Sequence, residues 1–300
     1  MAAKTNVTTS AQFTTSAREV DFVSRFADNW DALRNIMGIM RPIRKAPGTK
    51  LVSYKASVDG GLKGGTVAEG DEIPFTKMKV EPVAYDDIDI SKYAKSVTIE
   101  SVAKYGADVA VEKTDEAFLV ALQNKVLTDF YTFLGTGTLK VTEKTWQRAL
   151  AMAKGKVLDK FAGLDKDVTE VVGFANIIDA YDYLGDKDIT VQTMFGINYV
   201  ENFMGYRTLF LLPEKYIASK KVIALPVENI DLYYVDPSDS DFAKLGLNYT
   251  VKGETNLIGV HVDGDYSRAT GDMYAIMGMK LWAEYLDGIA VATVSVAGAG

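Results

Sequence analysis

Between Lys50 and Tyr93 the chain alternates apolar and polar residues over two long runs. Val52, Tyr54, Ala56 and Val58 are interleaved with Leu51, Ser53, Lys55 and Ser57, a period of two that predicts a strand with two unlike faces. The return places Met78, Val80 and Ala84 between Lys77, Lys79, Glu81 and Val83. The tip reads Asp59-Gly60-Gly61-Leu62-Lys63-Gly64-Gly65. Each strand reaches about 30 Å at roughly 3.3 Å per residue. An isolated two-stranded hairpin is marginal in water, and no neighbouring segment offers to cover this one. The ribbon therefore reads as a surface that another subunit completes.

Other periods predict the rest. Phe22, Phe26, Trp30, Leu33 and Met37 recur at spacings of four and three, so Glu19–Met40 is expected to be a helix, ended by Pro42 and Pro47. Two readings of its stripe stand side by side: a core helix, or an arm laid on a neighbouring subunit. Met1–Ala17, rich in Thr, Ser and Ala, is expected to be mobile. Phe118, Leu119, Leu122, Val126, Phe130, Phe133 and Leu134 mark a long helix stopped by Gly135. Its start is set at Thr114, with Asp115 and Glu116 in the first turn, or several residues earlier near Ala107. A mixed block follows. Helices are expected over Glu143–Phe161 and Ala175–Leu184, and short strands over Val168–Phe174, Arg207–Leu212, Val222–Leu225 and Leu232–Val235. From about Leu245 strands dominate: Leu247–Val251, Leu257–Val262, Asp272–Leu281 and Gly288–Val296, with Asp263-Gly264-Asp265 as a turn.

Composition narrows the chemistry. The 300 residues are 48% apolar and 24% charged, an ordinary globular balance, with no apolar run long enough to span a membrane. There is no cysteine and one histidine, His261. Thiolate nucleophiles, disulfides and two-histidine mechanisms are thereby excluded, and any covalent cross-link must use lysine with a carboxyl or carboxamide group. The net charge is −7, yet Met1–Lys50 holds eight Lys/Arg against four acids, leaving −11 on the remainder. An acidic body disfavours tight, salt-sensitive nucleic-acid binding but is compatible with enclosing nucleic acid.

No catalytic motif stands out. There is no Gly-x-Gly-x-x-Gly after a strand, no Walker loop, no Gly-x-Ser-x-Gly elbow and no zincin helix. Gly135-Thr136-Gly137-Thr138 follows a helix rather than opening one, so it reads as a loop. Asp236, Asp239 and Asp241 lack calcium-loop spacing and read as a capped turn. His261, Asp263 and Asp265 are too few for a metal site. Glu69-Gly70-Asp71-Glu72, on a protruding arm, reads as solvated or paired with a neighbour's cation. No catalytic, cofactor or metal residue is assigned, and the chain is read as a non-enzyme.

The order of these elements resembles the tailed-bacteriophage major capsid proteins of the Hong Kong 97 type. Val67-Ala68-Glu69-Gly70-Asp71-Glu72-Ile73-Pro74 looks like that family's hairpin return, Tyr93–Asp108 is similar to the approach to its spine helix, and Leu281–Ile289 looks like its closing strand. The match is in order over nearly the whole chain. The resemblance implies an α+β capsid fold with an N-terminal arm over residues 1–50 and an extended loop over 51–96. It implies a peripheral domain over 97–139 and 245–300, carrying the spine helix, and an axial domain over 140–244. It also implies hexamers and pentamers that close into an icosahedral head around double-stranded DNA. A portal, a separate scaffolding protein, assembly in the host cytoplasm and a place in the virion go with it. Some family members cross-link a loop lysine to a neighbour's asparagine. Lys63 stands where such a lysine would, but no partner asparagine or glutamate is matched, and a solvated lysine is the plainer reading. Candidate inter-subunit contacts are Phe22, Phe26, Trp30, Val52, Tyr54, Val58, Lys63, Glu69 and Met78. An encapsulin-like nanocompartment shell is the alternative within the fold. A carboxylate-dependent hydrolase, a binding module and a virion tube protein are the alternatives outside it.

Overall fold

A computed structural model describes residues 18–26, 28, 40–168, 170–185, 191–194, 197–251 and 257–295. The expectations for Met1–Ala17 and Trp30 lie outside these residues. Helix α1 covers residues 18–26. Met40 does not end a helix as expected. It opens strand β1 (Met40–Lys45), which runs parallel to β11 (Ile230–Val235), pairing Met40 with Ile230 and Lys45 with Val235. Pro42 is tolerated there because β1 is an edge strand and has a ladder on one side only.

Among the described residues, strands β2 (Leu51–Asp59) and β3 (Lys77–Asp86) pair only with each other. Strand β4 (Ile90–Thr98) belongs elsewhere: it lies antiparallel to β13 (Thr270–Ala283) from Ile90↔Gly278 to Thr98↔Thr270. The hairpin ladder thus ends at Asp86. A five-stranded sheet gathers around β13, whose first half pairs β4 and β12 (Ile258–Asp265) and whose second half pairs β11. The β12–β13 ladder continues to Asp265↔Thr270, so Asp263 and Gly264 are strand residues and the turn lies beyond them. In Leu247–Val251, Thr250 forms only an isolated bridge to Val260.

The second sheet has seven strands, in the order β5 (Leu139–Glu143), β14 (Ala290–Val294), β10 (Lys221–Pro226), β6 (Val171–Asn176), β9 (Thr208–Leu212), β8 (Ile197–Glu201) and β7 (Gln192–Met194). Its central strands are covered on both faces, which is why they read as unbroken apolar runs. Along β10, Val222 and Ala224 face one core and Ile223 and Leu225 the other. Helix α4 (Trp146–Ala162), capped by the Thr145 side chain, lays Leu150, Ala153 and Val157 on the first face. Glu143 ends β5 rather than starting this helix. Short helix α5 (Ile177–Leu184) follows β6.

The opposite face carries the long helix. Helix α2 (Ile99–Tyr105) leads through a π-helical turn, Asp108–Glu112, into α3 (Lys113–Leu134), whose 22 residues span about 33 Å. Its Leu119, Leu122, Val126, Phe130 and Leu134 form one core with Phe174 and Phe210 of the seven-stranded sheet and with Leu232, Met273 and Met277 of the five-stranded one. One helix therefore spans both sheets. Thr114 is no cap: the helix begins upstream, and its hydroxyl donates to the Ala110 carbonyl at 2.8 Å.

Candidate assembly surface

The β2–β3 ribbon leaves much of its apolar surface uncovered by the described residues. Its register runs from Leu51↔Asp86 to Asp59↔Lys77, with a bulge between Ser53 and Tyr54. Tyr54, Ala56 and Val58 stand opposite Pro82, Val80 and Met78, and opposed residues share a face. That face is open: Tyr54 is 64% exposed, Met78 57%, Val80 60% and Val58 39%, while Val52 at the root is half-buried. The tip is more apolar still, with Phe75 92% exposed, Leu62 84% and Ile73 69%. Burying one such side chain stabilises by about 1.5–3 kcal/mol, so this surface holds a large unused driving force.

The tip is nonetheless ordered. The Lys63 N–H donates to Thr76 Oγ1 at 3.0 Å, and Lys77 pairs with Asp59 at 2.9 Å. Gly60 and Gly61 take φ of +79° and +77°, which other residues rarely adopt. Lys63 and Glu69 both stand exposed on this tip.

The N-terminal stripe resolves differently. Phe22 and Phe26 are buried by their own chain, with the Phe22 ring 6.0 Å from Phe118 of α3. Of the two readings of this helix, the core reading describes them, and neither offers surface to a neighbour. Two buried carboxylates hold α1 in place. Asp115 receives both arms of the Arg18 guanidinium and an ion pair from Lys95 of β4. Burial alone would raise the Asp115 pKa, but hydrogen bonds and charge from Arg18 and Lys95 overcome it and hold the carboxyl below its ordinary value. Burial pushes Lys95 below the ordinary lysine value, and Asp115 offsets only part of that. Glu19 accepts from the Val262 N–H and, at 3.0 Å, from the Thr250 hydroxyl, with His261 Nδ1 at 3.7 Å. Asp115, which reads as a helix-start acid, is therefore an anchor between distant segments, and so is Glu19.

Among the described residues, cations of the basic N-terminal stretch pair with acids of the same chain. Arg41 pairs with Asp231 at 2.9 Å, and Arg44 with Asp236 and Asp239 at 3.2 and 3.6 Å. Asp236 also accepts from the Ser238 N–H and hydroxyl, so this acid group serves a turn. Among the described residues, no group of three or more His, Asp or Glu is placed to hold a metal, and no helix is long and apolar enough to cross a membrane.

No protein-family model matches the chain, and no curated protein matches it in sequence. Solved structures do. The capsid of cyanophage P-SCSP1u aligns with TM-score 0.58 at 8% identity, over 86% of this chain and 87% of that one. A virus-like particle from Pyrococcus furiosus aligns with TM-score 0.53 at 14% identity, over 92% and 100%. The holo-SrpI encapsulin complex from Synechococcus elongatus aligns with TM-score 0.52 at 12% identity, over 88% of each. The chain has the Hong Kong 97 capsid fold. In the terms of that fold, β2–β3 is the extended loop and α3 the spine helix. The chain crosses from the seven-stranded to the five-stranded sheet between Pro226 and Ile230.

Proposed function

We propose that this chain builds the shell of a tailed-bacteriophage head, its copies joining as hexamers and pentamers into an icosahedral container for double-stranded DNA. The observation that carries the reading is the extended loop: a ribbon whose strands, among the described residues, pair only with each other, apolar on an open face, on a chain of capsid fold. A second copy covering that face removes the unfavourable surface. Val52, Tyr54, Val58 and Met78 supply the contact area, with Lys63 and Glu69 as its polar rim. Obligate interfaces of this kind bury roughly 2,000 Å² or more. Unpaired strand edges, an aggregation hazard in a monomer, become useful when the partner is specified. A net charge of −7 suits a container whose wall must not grip its contents. The cyanophage capsid among the structural neighbours supports the phage assignment. A portal, a separate scaffolding protein, assembly in the host cytoplasm and residence in the virion follow from this reading.

A second reading is an encapsulin-like compartment shell, favoured by the likeness to the SrpI encapsulin complex. Negative-stain microscopy of the expressed protein tests both. Closed shells are expected, and a protein that stays monomeric at high concentration overturns both readings. Portal and terminase genes beside this one, and nuclease-protected DNA in purified particles, select the phage head. An adjacent cargo gene with protein-filled shells selects the compartment.

A further inference from the structure

Strand β12 is the outer strand of its sheet, and its open side is shut by three different devices. Val260 exchanges both backbone hydrogen bonds with Thr250, at 2.8 and 3.0 Å, so its polar groups point away from β13. Backbone groups two residues apart on a strand point the same way, so the N–H groups of Val262 and Gly264 share that direction. Each has an acceptor that is not a strand. The Val262 N–H donates to the Glu19 carboxylate of α1, 243 residues away in sequence. The Gly264 N–H donates to Asp263 Oδ1 at 2.8 Å. Among the described residues, the bridge to Thr250 is the only backbone pairing on that side.

Glu19 governs two of these three closures. Its carboxylate also accepts from the Thr250 hydroxyl at 3.0 Å, so the side chain that blocks Val262 holds the residue that blocks Val260. Glu19 is 3% exposed. Burying a carboxylate is costly even when it is hydrogen-bonded, and an apolar side chain would fill the same space at less cost. What an apolar side chain cannot do is occupy an outward N–H, and an open strand edge is a template for another chain.

Uncapped, this edge fits a second copy of itself. Two β12 strands paired antiparallel about Val262 would set Val260 against Gly264, so outward groups meet outward groups. Asp263 would fall opposite His261 of the second copy, and Asp265 opposite Gly259. No acid then faces an acid, and the contact is two-fold and self-complementary.

We infer that Glu19 is a lock on the β12 edge: in place, it keeps the five-stranded sheet from pairing with a second copy of this chain through β12, and its withdrawal frees the edge to do so. The inference goes beyond the shell reading and holds for either kind of container.

The test uses free subunits of the full chain, read by sedimentation velocity over a range of concentrations. Glu19→Ala is expected to raise the self-association constant at least tenfold over wild type, with amide protection at Val262 and Gly264 in the associated fraction by hydrogen exchange. Glu19→Gln keeps an oxygen to accept from Val262 and is expected to behave as wild type. Adding Val262→Pro to Glu19→Ala removes the N–H that a second copy needs, and proline is tolerated on an edge strand; association should return to the wild-type level. Gly137→Ala, crowded against Ile289, controls for destabilisation alone. Should circular dichroism show Glu19→Ala unfolded, Thr250→Val, which removes only the hydroxyl that Glu19 holds, carries the test with an expected rise of at least threefold. Three results overturn the inference: no rise in a folded Glu19→Ala or in Thr250→Val, an equal rise in Gly137→Ala, or a rise that survives Val262→Pro. The readout is on free subunits, so a chain that never forms shells defeats the shell reading without touching this one.

Discussion

Replacing Asp115 by alanine should destabilise the subunit by about 3 kcal/mol, roughly 100-fold in the folded-to-unfolded ratio. Asp115 is 3% exposed and holds two cations from two other segments, Arg18 of α1 and Lys95 of β4. Removing one member of a buried ion pair costs about 3–5 kcal/mol because the other charge stays buried and unpaired. The lower end applies here. The Arg18 side chain is 28% exposed and that of Lys95 13%, so both recover some hydration once released. Asp115→Asn keeps the shape and one acceptor but turns an amide donor toward two cations, and should cost about 2 kcal/mol. Urea unfolding of dissociated subunits, followed by far-UV circular dichroism and extrapolated linearly, gives the numbers. Hydrogen exchange over residues 18–26 gives the location, since α1 loses its strongest tether. A loss below about 1 kcal/mol, with unchanged protection in α1, would refute the reasoning that a buried ionic clasp anchors this helix.

Four further outcomes follow from the same structure. The Asp115 pKa is held below its unfolded value, so its stabilising contribution is complete above about pH 4 and disappears as pH falls through the folded-state value; a pH series of urea midpoints should show wild type losing more stability below pH 4 than Asp115→Asn. Phe22→Ala removes a ring with no exposure from the core under α3 and should cost about 3–5 kcal/mol by the same unfolding measurement. A methyl group on Gly137 would stand 2.5 Å from the Ile289 carbonyl oxygen; backbone cannot yield cheaply, so Gly137→Ala should cost about 1–3 kcal/mol and lower the thermal midpoint. Deleting residues 59–65 should leave the circular dichroism of subunits nearly unchanged while shell yield in sedimentation falls at least tenfold, and shells at the wild-type yield would remove the loop from the assembly contact.

What the sequence disclosed depended on whether a segment's burial is set locally or by a distant partner. The α3 stripe, the apolar runs of β9 and β10, and the alternating ribbon were legible because each carries its own period. The strand at Met40–Lys45 was not, since its residues, Met-Arg-Pro-Ile-Arg-Lys, have no apolar alternation. It is a strand because β11 offers an edge and because Asp231 and Asp236 receive Arg41 and Arg44. Strand β5 was hidden between a glycine loop and the Thr145 cap, and only its parallel pairing with β14 defines it. Asp115 reads locally as a helix-start acid, yet its partner lies 97 residues away. Asp263-Gly264-Asp265 has turn composition, but the ladder carries through it and the reversal falls at 266–269. For the assembly surface, the ribbon was visible in advance. The fate of Phe22 and Phe26 was not, because an amphipathic helix looks the same whether its own chain or a neighbour covers it.

Strand β14 is laid between β10 and β5, so residues 290–294 fill a slot inside a sheet begun by Leu139. Until those residues have been synthesised the slot is empty, and chains fold as synthesis proceeds from the N-terminus. The seven-stranded sheet is therefore closed late, by a strand made about 150 residues after the one it lies beside. A chain cut ahead of Ala290 should leave that sheet split and yield a product that fails to fold.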